Sequence, residues 1–238
     1  MPKGASIGGY GVGIICIDAW YPMLPGNVVN ATTYTFPVFC HVLRGVSFPQ
    51  IAAAEPSVLD RIIEAGQGLI QQGARAIVGA CGSFANYQRD AAAALEVPTF
   101  LSIMMQVPLI ARALKPSQKV GVICSAEGVI TTRVLDQVGL EDPSCMVLRE
   151  VAGLSEFSNI LESTGHLNSA RLEKQLVVLI RDFVREHPEI GAILLQCSDL
   201  PPYAAAIQRA TGLAVFDMTT LVEWVYRSVV RLQFSGLL

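Results

Sequence analysis

Residues 194–208 read LLQCSDLPPYAAAIQ. An apolar run reaches Cys197, then Ser198, Asp199 and two prolines follow before a second apolar segment begins. That order spells a buried strand, a turn, and a helix opened by proline, whose fixed φ suits the first helical position. Cys197 then stands at the carboxyl end of a strand, where open α/β sheets place their ligands. Whether this thiol packs or reacts depends on what the rest of the chain brings beside it.

The same grammar repeats along the chain. Val12–Ile17 reads as a first buried strand. Pro56, Ser57 and Asp60 predict a helix capped by Ser57 that stops at Gly73. A strand over 74–80 (ARAIVGA) runs into Cys81, then come a helix over 87–96 and a strand over 97–103. Further strands are expected at Lys119–Cys124, 145–149 and 191–196, and helices over 128–138, 170–185 and 221–233. Alternation of this kind argues for βαβ units and parallel sheets.

An internal repeat ties the two cysteines together. A shift of 116 residues lays Ala76 on Ala192, Ile77 on Ile193, Cys81 on Cys197, Tyr87 on Tyr203, Ala94 on Ala210 and Phe100 on Phe216. A shift of 108 lays GIIC, ending at Cys16, on GVIC, ending at Cys124. Cys81 and Cys197 thus end equivalent strands.

Composition narrows the classes. The chain has 238 residues, 52% hydrophobic and only 16% charged, which suits buried parallel strands. A formal charge of −3 without a basic cluster points away from nucleic acid and from anionic membrane surfaces. No apolar run reaches the about 20 residues of a membrane span; Asp18, Arg89, Arg112 and Glu127 interrupt the best ones. The amino end carries Lys3 as its charge and loosely imitates an export signal, but its glycines and the continuation YPMLPGN fit a first strand better. The six cysteines form no CxxC pair, and His41, His166 and His187 are scattered, so neither a zinc site nor a disulfide framework is expected. Reduced thiols and a cytoplasmic location follow as the simplest expectation, and Asn30-Ala31-Thr32 then carries no glycan.

Free cysteine is often a packed hydrophobe. Cys16, Cys40, Cys124 and Cys145 fit that reading, each within or beside an apolar run. Cys81 and Cys197 precede small or polar residues, Gly82-Ser83 and Ser198-Asp199. A thiol there is expected near helix-start N–H groups, whose positive potential favours thiolate. Two such thiols across a cleft can move a proton from one face of a carbon to the other. Hydroxyls and N–H groups after Cys81, at Ser125 and after Cys197 can hold a carboxylate. Ordinary capping explains Ser83 and Ser198 equally well, and explains Thr132 better.

GACGSFAN around Cys81, QCSDLPPY around Cys197 and VGVICSAEG resemble motifs of the aspartate/glutamate racemase superfamily, which includes hydantoin racemases, maleate isomerases and arylmalonate decarboxylases. The resemblance covers most of the chain. It implies two similar α/β domains with parallel sheets related by a pseudo-twofold axis, with the active site in the interdomain cleft. Residues 1–105 would form the first domain, rejoined by a terminal helix at 217–238, and residues 106–216 the second. It implies Cys81 and Cys197 as the acid/base pair with no cofactor or metal, and a small carboxylate or amino-acid-like substrate bound by Asp18, Asn30, Gly82, Ser83, Ser125, Ala126, Ser198 and Asp199. A homo-oligomer fits the same pattern.

The departures are informative. Gly82-Ser83 stands where amino-acid racemases have Asn-Thr, and Asp199 is shorter than the glutamate common in aspartate racemases. The loop over 21–38 is not the short glycine-rich segment of glutamate racemase; its Asn27, Asn30, Thr32 and Thr33 can face a substrate or simply form turns. The leading expectation is a cofactor-independent racemase inverting the α-carbon of an amino acid, a related carboxylate or a hydantoin. Alternatives are a maleate-type cis–trans isomerase with a cysteine nucleophile, an arylmalonate-type decarboxylase, and a noncatalytic small-molecule binding protein. Cys81 argues against the decarboxylase branch, which keeps only the second cysteine. Two buried thiols that lack thiolate character and react with alkylating agents only after unfolding would favour the binding protein.

Overall fold

The computed structural model describes residues 8–233. Its first sheet contains β1 (Val12–Ile17), β2 (Val38–Leu43), β3 (Ala76–Ala80) and β4 (Thr99–Phe100) in the order β2-β1-β3-β4. The second contains β5 (Lys119–Cys124), β6 (Met146–Glu150), β7 (Ile190–Leu195) and β8 (Ala214–Phe216) in the order β6-β5-β7-β8. Every pairing is parallel. The fold is α/β with two sheets of identical order, and the strands that the repeat aligns occupy equivalent places.

The central strands are apolar throughout because both of their faces are covered. One face of each sheet turns to a shared core, where Val12, Ile14, Ala76 and Val78 meet Val120, Val122, Ala192 and Leu194. The opposite face of the first sheet is covered by α2 (Pro56–Gln71) through Ile62 and Leu69. The opposite face of the second is covered by α7 (Ser169–Glu186) through Leu172, Leu176, Ile180 and Phe183. The last helix, α9 (Met218–Val229), buries Leu221, Val222 and Val225 in the shared core and packs on β1 and β3. The chain therefore returns to the first sheet. Residues 1–7 and 234–238 of the expected domain ranges lie outside the described residues.

Each cysteine turn has the same build. Cys81 follows β3 directly, and a 3-10 turn over Gly82–Tyr87 leads into α3 (Gln88–Ala94). Cys197 lies two residues past β7, and a 3-10 turn over Pro201–Tyr203 leads into α8 (Ala204–Thr211). Tyr87 and Tyr203 close the two turns, which is why they coincide in the repeat.

Some local expectations are corrected. Ser57 does not cap α2; the helix starts one residue earlier on Pro56, and Ser57 lies inside its first turn. Thr131 caps α5 (Thr132–Val138), its hydroxyl accepting from the Val134 N–H at 3.2 Å, so Thr132 is the first helical residue and not the cap. The helix expected over 87–96 begins only after the 3-10 turn. The terminal helix begins at Met218, where Asp217 accepts from the Thr220 N–H at 2.9 Å, and it ends at Val229. The edge strand β2 carries no alternation in its sequence VFCHVL, which hid it.

Candidate active site

Between the halves lies a cavity of about 180 Å³. Cys81 and Cys197 both line it, each 7% exposed. The two turns touch there. A side chain at Gly82 would place its Cβ 2.3 Å from the Gln196 backbone oxygen and 2.3 Å from its Nε2, so only glycine permits this approach. Ser198 crosses the same contact, its hydroxyl donating to the Ala80 carbonyl at 3.0 Å. Ser198 therefore ties β3 to the Cys197 turn.

Asp199 belongs to Cys197. The Cys197 Sγ–H donates to Asp199 Oδ2 at 3.5 Å. The other oxygen, Oδ1, accepts from the Tyr21 hydroxyl and from Asn27 Nδ2, the latter at 3.1 Å. Asn27 Nδ2 also reaches the Tyr21 oxygen at 2.6 Å. Both side chains come from the loop after β1, which crosses to the second half. Tyr21 packs in that half's core with Ile123 and Tyr203, flanked by Met23 and Leu24, and Gly26 abuts Pro202. Tyr21 is not among the residues expected from the sequence, and Asn27 is expected there only as one of several loop residues; the aromatic at the head of YPMLPGN is the signal that points to it.

The protonation states differ from the expectation of thiolates. Burial pushes the Cys81 thiol up to about 12, against the N–H groups of Ser83 and Phe84, which hold it down. Cys197 is raised by burial and then by the Asp199 charge beside it. Burial also raises Asp199, while the hydrogen bonds from Tyr21, Asn27 and Cys197 oppose it. Desolvation outweighs the turn N–H groups at both cysteines and favours the thiol form of each.

The other expected residues divide. Ser83, Ser125 and Asp18 line the cavity with the cysteine turns. Asp18 sits at the exposed side, where Arg44 Nη1 and the Gly45 N–H each donate to its carboxylate at 2.9 Å. The Gly45 N–H first, and then Arg44, lower its pKa. Asn30 is not among the residues lining the cavity; its Nδ2 donates to the Met23 carbonyl at 2.9 Å and its Oδ1 accepts from the Thr32 N–H at 2.8 Å. Thr32 and Thr33 likewise bond within that loop. Ala126 lies outside the cavity wall, one residue past Ser125. Gln196, which the sequence reading did not single out, lines it.

Two loops meet beside this wall. Ser163, at φ +51°, follows α6 (Ser155–Leu161) and lines the cavity. Its hydroxyl accepts from the Trp20 N–H at 3.4 Å. The Trp20 ring lies against Gly165, where a Cβ would fall 2.7 Å from it. Among the described residues no group of three or more His, Cys, Asp or Glu is placed to hold a metal ion, and no helix is long and apolar enough to cross a membrane.

Two cysteine turns facing one cavity between like sheets agree with the family comparison, in which the Asp/Glu/Hydantoin racemase model matches residues 35–224. The chain belongs to this family. Its sequence is 27% identical over 226 residues to dimethylsulfoniopropionate lyase 5 of Emiliania huxleyi (strain CCMP1516), covering 90% of this chain and 44% of that protein. It is 25% identical over 226 residues to a dimethylsulfoniopropionate lyase of Durusdinium sp. clade D, covering 92% of this chain and 75% of that one. The chain thus spans less than half of the first relative's length. A glycine-to-cysteine mutant of arylmalonate decarboxylase, in its sulfate-associated form, has the same fold, with a TM-score of 0.61, 17% identity and 92% of each chain covered. Glutamate racemase from Francisella tularensis subsp. tularensis SCHU S4 follows at 0.54 and 15%, covering 94% of this chain and 85% of that one. Family and relatives indicate an enzyme, and the lyase names among the relatives leave the isomerase expectation as one of two readings.

Proposed function

We propose that this protein removes a proton from the carbon beside a carboxylate, with Cys197 as the base and Asp199 as acceptor of the thiol proton, and that the carbanion then expels a leaving group from the adjacent carbon. The observation that carries this reading is asymmetry. Cys197 donates to a carboxylate, whereas Cys81 is met by the N–H groups of Ser83 and Phe84. Elimination needs one strong base, and the thiol with a built-in proton acceptor is the better one. The Cα–H bond breaks and its proton goes to Cys197 Sγ. Its electron pair forms the Cα=Cβ bond, and the leaving group departs with the pair of the broken Cβ bond. On dimethylsulfoniopropionate, the compound in the relatives' names, the products are acrylate and dimethyl sulfide, with one proton released through Asp199.

The cavity supports a compact cationic substrate. Its wall combines apolar Ile17, Phe48, Pro49 and Ile160 with the Asp199 carboxylate, while Asp18 is already paired with Arg44, and no lysine, arginine or histidine is among the described residues lining it. A sulfonium entering beside Cys197 stabilises its thiolate, so the substrate itself offsets the burial that keeps the thiol protonated.

Racemisation is the second reading, favoured by Cys81 on the same cavity. There Cys81 returns the proton to the opposite face of the carbon. The deciding experiment supplies dimethylsulfoniopropionate, and separately single-enantiomer amino acids, in deuterated water and follows products by NMR. Acrylate supports elimination; Cα deuteration with inversion supports racemisation. Cys197→Ala is expected to lower either activity by about 10³-fold or more. Cys81→Ala abolishes racemisation but leaves most of the elimination. Absence of both reactions, with thiols that alkylate only after unfolding, would leave the binding-protein reading.

A further inference from the structure

Asn27 is only 2% exposed, and its carboxamide is bonded at both ends. Its Oδ1 accepts from the Val29 N–H at 3.0 Å. A backbone N–H can only donate, so that bond decides which way the carboxamide faces. Nδ2 then points away from Val29, with one hydrogen toward the Tyr21 oxygen at 2.6 Å and the other toward Asp199 Oδ1 at 3.1 Å. The Tyr21 hydroxyl in turn donates to the same Oδ1. Gly26 makes this placement possible. It turns the chain at φ +95° just before Asn27, and a Cβ there would fall 3.0 Å from the Pro202 Cα.

The two oxygens of Asp199 therefore differ. Oδ1 receives two donors, and a proton on it would leave a buried Tyr21 or Asn27 hydrogen without an acceptor. Oδ2 has one partner among the described residues, the Cys197 Sγ–H at 3.5 Å. We infer that Asn27 is a positioning residue that confines the Asp199 proton to Oδ2, so that Cys197 and Asp199 exchange one proton along a single line. This rests on the reading of Cys197 as the base, and adds the side chain from the other half that orders its proton transfer. In the transfer the S–H bond breaks and its electron pair stays on sulfur, while the proton bonds to a lone pair of Oδ2. One negative charge moves from oxygen to sulfur, and the buried pair never carries two.

The surroundings leave Asp199 to titrate alone. Tyr21 faces it from the loop, Cys197 from its own turn, Cys81 from the opposite turn and Tyr203 from the turn before α8. Burial, the first cause in each case, raises all four above their ordinary values. Asp18, on the same cavity, is instead held low by the Gly45 N–H and then by Arg44. In the range between, Asp199 is the group whose charge changes.

The test follows alkylation of each cysteine by iodoacetamide against pH, read by peptide mass, and requires no turnover. In the wild-type protein the Cys81 rate should fall about tenfold per pH unit below its thiol's own titration, without a break. The Cys197 rate should instead level off to a plateau, because a fixed fraction of the pair has its proton on Oδ2. It should fall again only where the pair takes up a further proton. Asn27→Ala removes one donor from Oδ1 and makes Asp199 the stronger base. That lower break should move up by about half a unit to one unit, and the plateau should rise about three- to tenfold. Asn27→Asp keeps the Val29 bond but faces Asp199 with a like charge, and should move both further. Neither variant should alter the Cys81 slope. An Asn27 that only braces its loop would change Tm and leave both features in place. A wild-type Cys197 without a plateau, or one that stays silent until the protein unfolds, overturns the inference. So do a plateau and break unmoved in both variants. Failure to find any turnover would strike the proposed reaction and leave this measurement intact.

Discussion

At Cys197 the competing influences can be weighed singly. Burial and the Asp199 charge raise its thiol, while the Asp199 carboxylate is kept available by Tyr21 and Asn27 donating to it. Tyr21→Phe removes one of those donors with little change in packing. Asp199 then holds its proton to higher pH, and the acidic limb of kcat/KM should move upward by about half a unit to one unit, read from a pH–rate profile. A merely structural Tyr21 would change stability and leave that limb in place. Cys81 offers a simpler check: with a thiol near 12, its alkylation at neutral pH should be on the order of a thousandfold slower than that of free cysteine. The position of both cysteines was legible in the sequence because each ends an apolar run and the repeat pairs them. Their protonation was not, since it depends on how closely the halves cover them.

At the scale of elements, the decisive unit is the strand, cysteine and 3-10 turn that each half carries. Gly82 lets the first turn lie on β7's end, and Ser198 ties the second turn to β3. Gly82→Ala should cost about 1–3 kcal/mol by overpacking, while Ser198→Ala should cost about 1 kcal/mol for one hydrogen bond, both from urea denaturation. The central strands were readable because a continuous apolar run leaves few other conformations. The edge strand β2 was not, because its run VFCHVL is mixed in character, and the five-residue α1 (Phe48–Ala52) is too short for a period to emerge. The loop over 21–38 reads as turns, and Asn30 and Thr33 do make turns. Nothing in its local pattern says that it crosses to the second half, because that contact is set by tertiary packing of Tyr21 against residues 102 or more positions away, such as Ile123.

For the whole molecule, the shared core makes the halves one folding unit. Strands of both sheets and α9 bury their side chains in it together, so heat or urea should give one transition, coincident by fluorescence and circular dichroism. Its pH dependence follows from the buried thiols. In the unfolded chain they ionise near the ordinary value of 9.0, but in the folded protein Cys124 waits until about 11 and Cys81 until about 12. Between those values unfolding releases protons, so rising pH favours the unfolded chain. Stability should be undiminished by these thiols below about pH 9 and fall above it by about 1.4 kcal/mol per unit for each thiol. The chain has two tryptophans, Trp20 and Trp224, and they sit in very different places. Trp20 is 75% exposed and bridges the two cavity loops through Ser163 and Gly165, whereas Trp224 lies on α9 edge-on to Phe100. The protein therefore carries its own optical gauge. With Trp224→Phe as background, the remaining emission reports the Trp20 contact with those loops, and stopped-flow mixing with a ligand can follow that contact without any attached dye.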